Sequence, residues 1–204
     1  MQAPQDLTPR EQLKEIIKKD GIVLEETVLS SSRKSPYYYD IKKAILTARG
    51  LALAGSLGLG LVQALGAKSV GGLESGAIPF ATSISMSSAQ GTRPIDLFFV
   101  RKQAKQYGRR KWVEGNVDSP AVIVDDVVTT GRSSMDAADR VTEMGYTVKG
   151  IVAVVDREEG ARELFSSRGL EFASMFSHSN DFKEYIEARL AGKTRQADHV
   201  PGGF

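Results

Sequence analysis

The sequence predicts an α/β fold, a mostly parallel sheet flanked by helices, and two observations carry that prediction. Short apolar runs begin near residues 68, 95, 121 and 149, each followed by a stretch of helical spacing, and such alternation builds right-handed βαβ units. The run Ala121 to Val124 is the clearest: four apolar residues rich in β-branched types, too few for a helix and preceded by Pro120, which read as a buried strand. It leads into two carboxylates, Asp125 and Asp126, at the strand end where ligands bind in open parallel sheets. The first and last segments of the chain stand outside this alternation and are expected to form a small hood over that edge.

A chain of 204 residues suits one domain, or one with a small appendage, and can bury a substantial core. With 41% hydrophobic and 25% charged residues it is neither disordered nor fibrous, and a net charge of +2 creates no demand for nucleic acid. Cysteine is absent, which excludes disulfides, a thiol nucleophile and cysteine-ligated metal, and the expected compartment is the cytoplasm. The opening MQAPQDLTPREQLKE lacks the apolar core of a signal peptide. Gly50 to Ala67 carries no charge over 18 residues, but four glycines fall between Gly50 and Gly60. A helix packed on a sheet is expected there, not a membrane span. His178 and His199 share no ligand spacing, and neither is assigned to a metal.

In chain order, Thr8 as cap, Pro9 in the first turn and Glu11 three residues after the cap open a helix with Leu13, Ile16 and Ile17 on one face, stopping at Asp20-Gly21. Ile22 to Leu29 reads as a strand, then SSSRKSP as a polar loop leading to Tyr37, Tyr38 and Tyr39. Thr47 to Leu65 is the uncharged helix, Lys68 to Leu73 the first core strand, and Phe80 to Ala89 a helix poor in helix formers. Ile95 to Val100 is a continuous apolar strand, and Arg101 to Lys111 then holds six cations and no acid in eleven residues. Such a run is ordinarily a solvated face or a nucleic-acid patch. Met135 to Met144 reads as a helix with Met135, Ala138 and Val141 apolar; Lys149 to Val155 as a strand ending in Asp156-Arg157; and Glu158 to Ser167 as a polar helix. Leu170 to Phe176 is a late strand, and Asp181 to Leu190 a final helix, capped by Asn180 and apolar at Phe182, Tyr185, Ile186 and Leu190.

The chemistry gathers after the acid pair. Thr129, Thr130, Gly131, Arg132, Ser133 and Ser134 lie between the strand and a helix. Hydroxyls, a glycine and the N–H groups of a helix N-terminus together make an anion site that suits a phosphate. The two carboxylates cannot bind that phosphate, but they suit attached ribose hydroxyls or a hydrated Mg²⁺.

The stretch VIVDDVVTTGRSS resembles the phosphoribosyl pyrophosphate (PRPP) motif of the type I phosphoribosyltransferases. Three further segments resemble the orotate phosphoribosyltransferases within that superfamily: LSSSRKSPYYYD at residues 29–40, the glycine-rich turn GGLESGAIP at 71–79, and RKQAKQYG with Val113-Glu114-Gly115. The resemblance covers roughly Leu13 to Leu190 and is carried by these four motifs in family order. The chain departs from the pattern where some members carry lysine at the place of Ser30 and glycine at the place of Ser32, so the substrate contact is left open among Ser30, Arg33 and Lys34 and a basic one comes from Arg33 or Lys34, and where many carry histidine at the place of Tyr107.

The resemblance implies a division into a hood segment at 1–45, a PRPP-binding core at 46–168, a late strand and helix at 169–191 that complete the hood, and a flexible tail at 192–204. It implies that orotate and PRPP give orotidine 5′-monophosphate and pyrophosphate, with Mg²⁺ as cofactor. Arg101, Lys102, Lys105 and Tyr107, with the turn at Glu74, Ser75 and Gly76, would meet the pyrophosphate. Asp125 and Asp126 would hold the ribose hydroxyls and, through water, the metal; Val127, Val128, Thr129, Thr130, Gly131, Arg132 and Ser133 would wrap the 5′-phosphate. Tyr38, Tyr39, Thr129 and Arg157 would contact orotate; from position alone, Arg157 at a strand end equally suits an ion pair with a neighbouring acid. A homodimer is implied, in which the loop 101–111 serves the neighbouring subunit, with no nucleic acid or membrane partner. The alternatives are a purine phosphoribosyltransferase and a non-catalytic nucleotide sensor of the same fold.

Overall fold

A computed structural model describes residues 7–28, 34–103 and 112–197. The elements run α1 (Pro9–Ile16), β1 (Ile22–Val23), β2 (Thr27–Val28), β3 (Lys34–Ser35), β4 (Tyr38–Tyr39), α2 (Ile41–Ile45), α3 (Ala48–Ala64), β5 (Ser69–Gly71), α4 (Ala77–Ser88), β6 (Asp96–Val100), β7 (Val113–Gly115), β8 (Ala121–Val128), α5 (Arg132–Glu143), β9 (Val148–Asp156), α6 (Ala161–Ser167), β10 (Glu171–Ser177) and α7 (Lys183–Ala197). Six strands form the main sheet in the order β10-β9-β8-β5-β6-β7, all parallel except the edge strand β7.

Burial explains why β8 and β9 are unbroken apolar runs. Val122, Val124, Val152 and Val154 pack on one face with α1 to α4 and α7, while Ala121, Ile123, Ile151 and Ala153 pack on the other with α5 and α6. Both faces of a parallel sheet are covered, so side chains pointing either way must be apolar. Glycine sets the spacing of α3 against α4. A Cβ on Gly55 would lie 2.6 Å from the Ser83 carbonyl oxygen, and one on Gly58 would lie 2.6 Å from the Phe80 ring. The glycines that weaken α3 as an apolar run therefore let two helices approach closely. Among the described residues no helix is long and apolar enough to cross a membrane.

The helix opened by Thr8 has the full capping box: Thr8 Oγ1 accepts from the Glu11 N–H and Glu11 accepts from the Thr8 N–H. α1 is fastened to the far end of the chain. Arg10 donates to the Met175 carbonyl at 3.0 Å and lies over the Phe176 ring, and both Arg10 and Lys14 reach Asp181 at 3.0 Å.

Several elements differ from the sequence reading. The strand expected over Ile22 to Leu29 is two short ones, Ile22–Val23 paired with Tyr38–Tyr39 and Thr27–Val28 paired with Lys34–Ser35; Leu29 lies outside the described residues. β8 continues through the acid pair to Val128 because Asp125, Val127 and Val128 pair with Ala153, Val155 and Asp156. α5 begins at Arg132, and Met144 is exposed beyond its end. The late strand, expected in the hood, is the outer parallel strand of the main sheet, paired with β9. Asn180 does not cap the final helix; it sits in a π-turn, His178–Phe182, and donates to Ser177 Oγ. α7 runs to Ala197, into the segment expected to be flexible. The helix α2 and the strand β7 were not anticipated.

Replacing Gly55 with valine should lower stability by about 3 kcal/mol, as overpacking of a tight helix contact does. Urea unfolding of the variant beside the parent measures this, and an unchanged midpoint would contradict the packing role.

Candidate active site

Strand order locates the crevice. The chain leaves β5 for β6 on one side, then crosses back to place β8 on the other side of β5. Loops after β5 and β8 therefore diverge, and the gap between their carboxyl ends is where an open α/β sheet takes a ligand.

Asp125 and Asp126 stand at that gap, each only 8% exposed. Asp125 Oδ1 accepts the Asp126 N–H at 3.0 Å, and its Oδ2 accepts the hydroxyls of Ser134 at 3.0 Å and Ser133 at 3.2 Å. Burial, and then the neighbouring Asp126 carboxylate, push the Asp125 carboxyl up to about 7, against the lowering effect of the two serines. Asp126 faces Lys42, whose Nζ lies 3.6 Å from Oδ2. A Cβ on Gly76 would come within 2.5 Å of Asp126 Oδ1, so the turn after β5 lies directly against the second carboxylate.

The loop after β8 turns at Gly131, whose φ of +80° and contact with the Phe165 ring exclude a side chain. The Met135 N–H bonds the Gly131 carbonyl and opens α5 without a side-chain cap. The N–H groups of its first turn thus remain available to an anion. Ser133, counted among the phosphate-wrapping residues, turns its hydroxyl back to Asp125.

On the β5–β6 side, the Glu74–Ser75 peptide is cis. The Glu74 N–H bonds the Val100 carbonyl, and Glu74 Oε1 accepts the Lys102 N–H at 2.9 Å. Arg101 is engaged with Glu114 at 3.3 Å. Ser30, Arg33, Lys105 and Tyr107 lie outside the described residues, and Lys34 reaches Glu26 at 2.8 Å.

Arg157 closes the other end. Its N–H bonds the Val128 carbonyl, which brings the end of β9 beside the Thr129 loop. Its side chain is 8% exposed and pairs with Glu159 at 2.8 Å, and its guanidinium lies 5.8 Å from the Tyr37 ring centroid and 5.6 Å from that of Tyr39. His178 completes this cluster, stacked on Tyr37 and joined by Nδ1 to the Tyr39 hydroxyl at 2.9 Å. Burial pushes both phenols up and the imidazole down, so all three rings are neutral at ordinary pH.

A related sequence from Rhodopseudomonas palustris strain BisB18, an orotate phosphoribosyltransferase, is 38% identical over 180 residues, covering 85% of this chain and 96% of that protein. The chain belongs to the orotate phosphoribosyltransferase family. The enzyme of that name from Sorangium cellulosum is 37% identical over 169 residues, covering 79% of this chain and 86% of its own length. The crystal structure of the Mycobacterium tuberculosis H37Rv orotate phosphoribosyltransferase in complex with PRPP has a TM-score of 0.71 at 34% identity and covers 84% of this chain and 98% of that one. No protein-family model matches the sequence. The type I phosphoribosyltransferase fold expected from the sequence is therefore the fold found, and neither the purine nor the regulatory alternative is favoured.

The fold brings Glu74, Gly76, Asp125, Asp126, Gly131 and Arg157, expected from the sequence, to the carboxyl edge of one sheet. Tyr37, Lys42, Glu159 and His178, which the sequence pattern does not single out, stand among them. Strand alternation could have found Tyr37: Tyr37 and Tyr39 share a face, whereas Tyr38 is sent to the opposite one. Metal capacity is modest. No group of three or more acids and histidines gathers among the described residues, but two adjacent carboxylates are the oxygen set that a magnesium ion takes when substrate phosphates and water supply the rest.

The raised carboxyl of Asp125 has a consequence for stability. The folded chain binds its proton up to about pH 7, whereas an unfolded carboxyl near 3.8 releases it earlier. The contribution is therefore fully present at low pH and is lost as pH rises through about 7. In thermal melts of the ligand-free protein, Asp125→Asn should gain on the parent by about 5 °C or more between pH 5 and pH 8. Parallel pH profiles for the two proteins would contradict the assignment.

Proposed function

We propose that this chain transfers the 5-phosphoribosyl group of PRPP to orotate, giving orotidine 5′-monophosphate and pyrophosphate, a step of pyrimidine nucleotide synthesis in the cytoplasm. The observation that carries the reading is the buried acid pair at the sheet's crossover, with an uncapped helix N-terminus beyond it and an arginine among tyrosines beside it.

Breaking the bond from ribose C1 to the pyrophosphate oxygen builds positive charge on the sugar and negative charge on the leaving group. Preorganised charge must meet both. Asp125 and Asp126 accept the ribose hydroxyls and hold the ring with its reactive carbon facing the base. Their negative charge lies near the developing cation. The N–H groups from Thr129 to Ser133 take the 5′-phosphate, while Ser133 and Ser134 hold Asp125 in place. Asp125 and Asp126 would hold a magnesium ion, which would supply neutralisation of the charge on the departing pyrophosphate. Arg101, Lys102 and Lys105 meet that pyrophosphate from the loop after β6, with Arg101 exchanging Glu114 for it. Arg157 receives the orotate carboxylate, a planar guanidinium matched to a planar anion. Orotate itself is the nucleophile, so positioning supplies much of the rate. The reading includes a homodimer whose loop 101–111 serves the neighbouring subunit.

The test follows orotate by its near-ultraviolet absorbance with purified protein, PRPP and Mg²⁺. Orotate should disappear only when PRPP and the metal are both present, and a chelator should stop the reaction. Lys105→Ala should lower kcat by about 100-fold, the usual cost of losing one transition-state charge contact. Folded protein that binds PRPP but consumes no orotate would overturn the assignment.

A further inference from the structure

Arg157 is almost fully buried and already holds a carboxylate. Three acids flank it in the chain, Asp156, Glu158 and Glu159, and two are committed elsewhere. Asp156 accepts the Glu158 N–H at 2.8 Å and Arg162 Nε at 3.0 Å. Glu158 accepts the N–H and the hydroxyl of Ser179 at 2.6 and 2.8 Å. Only Glu159 turns to Arg157, at 2.8 Å, and its side chain is 23% exposed. The backbone around it is pinned, because the Arg157 N–H bonds the Val128 carbonyl and Glu158 is tied to Ser179 in the turn that follows β10. The Glu159 side chain can therefore swing into solvent without moving the turn.

We propose that Glu159 is a specificity-determining residue that stands in for the substrate carboxylate on Arg157 and is exchanged for it when the base binds. The inference rests on the reading of Arg157 as the orotate contact. A largely desolvated guanidinium left without an anion is costly, so a ligand that displaces Glu159 must bring a carboxylate of its own. Orotate does. Uracil, the same ring without the carboxylate, cannot replace the pair and binds with it intact. Discrimination then comes from a competing contact inside the free protein as well as from attraction to the substrate. The cost is borne in apparent affinity, since only the fraction of molecules with Arg157 released is ready for the carboxylate.

Steady-state kinetics of Glu159→Gln and Glu159→Ala test this. With the competitor removed, KM for orotate should fall by tens of fold in both variants, corresponding to a free fraction of a few per cent in the parent, about 2 kcal/mol against the released state. KM for PRPP should not share that fall, and the inhibition constant for uracil should stay within about twofold of the parent, because uracil never displaces the pair. A raised KM for orotate would overturn the inference and make Glu159 a tether that orients Arg157. An unchanged KM, or an equal shift for orotate and uracil, would overturn it too. Arg157→Ala separates this from the underlying reading: it should raise KM for orotate by tens of fold. If it does not, the base-site assignment itself has failed.

Discussion

Two carboxylates side by side at the end of a buried strand repel each other and resist desolvation, and much of this structure answers that one constraint. The serines of α5 donate to the inner acid, Lys42 approaches the outer one, and a glycine turn leaves room beside it. An apolar or amide pair would fold with less conflict. The conflict is kept where the sheet reverses its winding, which is where a sugar and its phosphates can be held between diverging loops. On the proposed reading, ligand hydroxyls and a cation would relieve the same repulsion that the free protein tolerates.

Around this pair the site divides by charge type. The loop after β8 offers backbone dipoles, the segment after β6 is rich in cations, and the end of β9 offers a fixed guanidinium among neutral rings. Arg101 and Arg157 each hold a glutamate in the free protein, Glu114 and Glu159. Neither cation waits bare for an anion, so on the proposed reading substrate binding at both ends is an exchange of partners. Exchange of this kind favours ligands whose anionic groups match the geometry of the ones they replace.

The parts of the fold readable from sequence are those governed by local or period-two patterns. The runs at 121 and 149 are apolar on both faces because both faces are covered, and the Thr8 cap and the glycine loop after β8 follow from chemistry within a few residues. Nothing in the sequence of Glu171–Ser177 separates an outer strand of the main sheet from a strand of the hood, because an edge strand is only partly buried and lacks the unbroken apolar run of β8 and β9. α2 has five residues, too few for a helical period to show. At the base end, Arg157 was visible from its place after a strand, but its partners were not. Tyr37 and His178 are 141 residues apart, and no spacing rule links them; only the docking of the first segment on the last strand does.

That docking orders events in time. The capped first helix is too short to be stable alone, and its Arg10 finds the Met175 carbonyl 165 residues later, after every other strand of the main sheet. The cluster of Tyr37, Tyr39, His178 and Arg157 draws on both ends of the chain, so it is complete only once the last strand has been laid beside β9, whereas the acid pair and the serines that hold it lie within ten residues of one another.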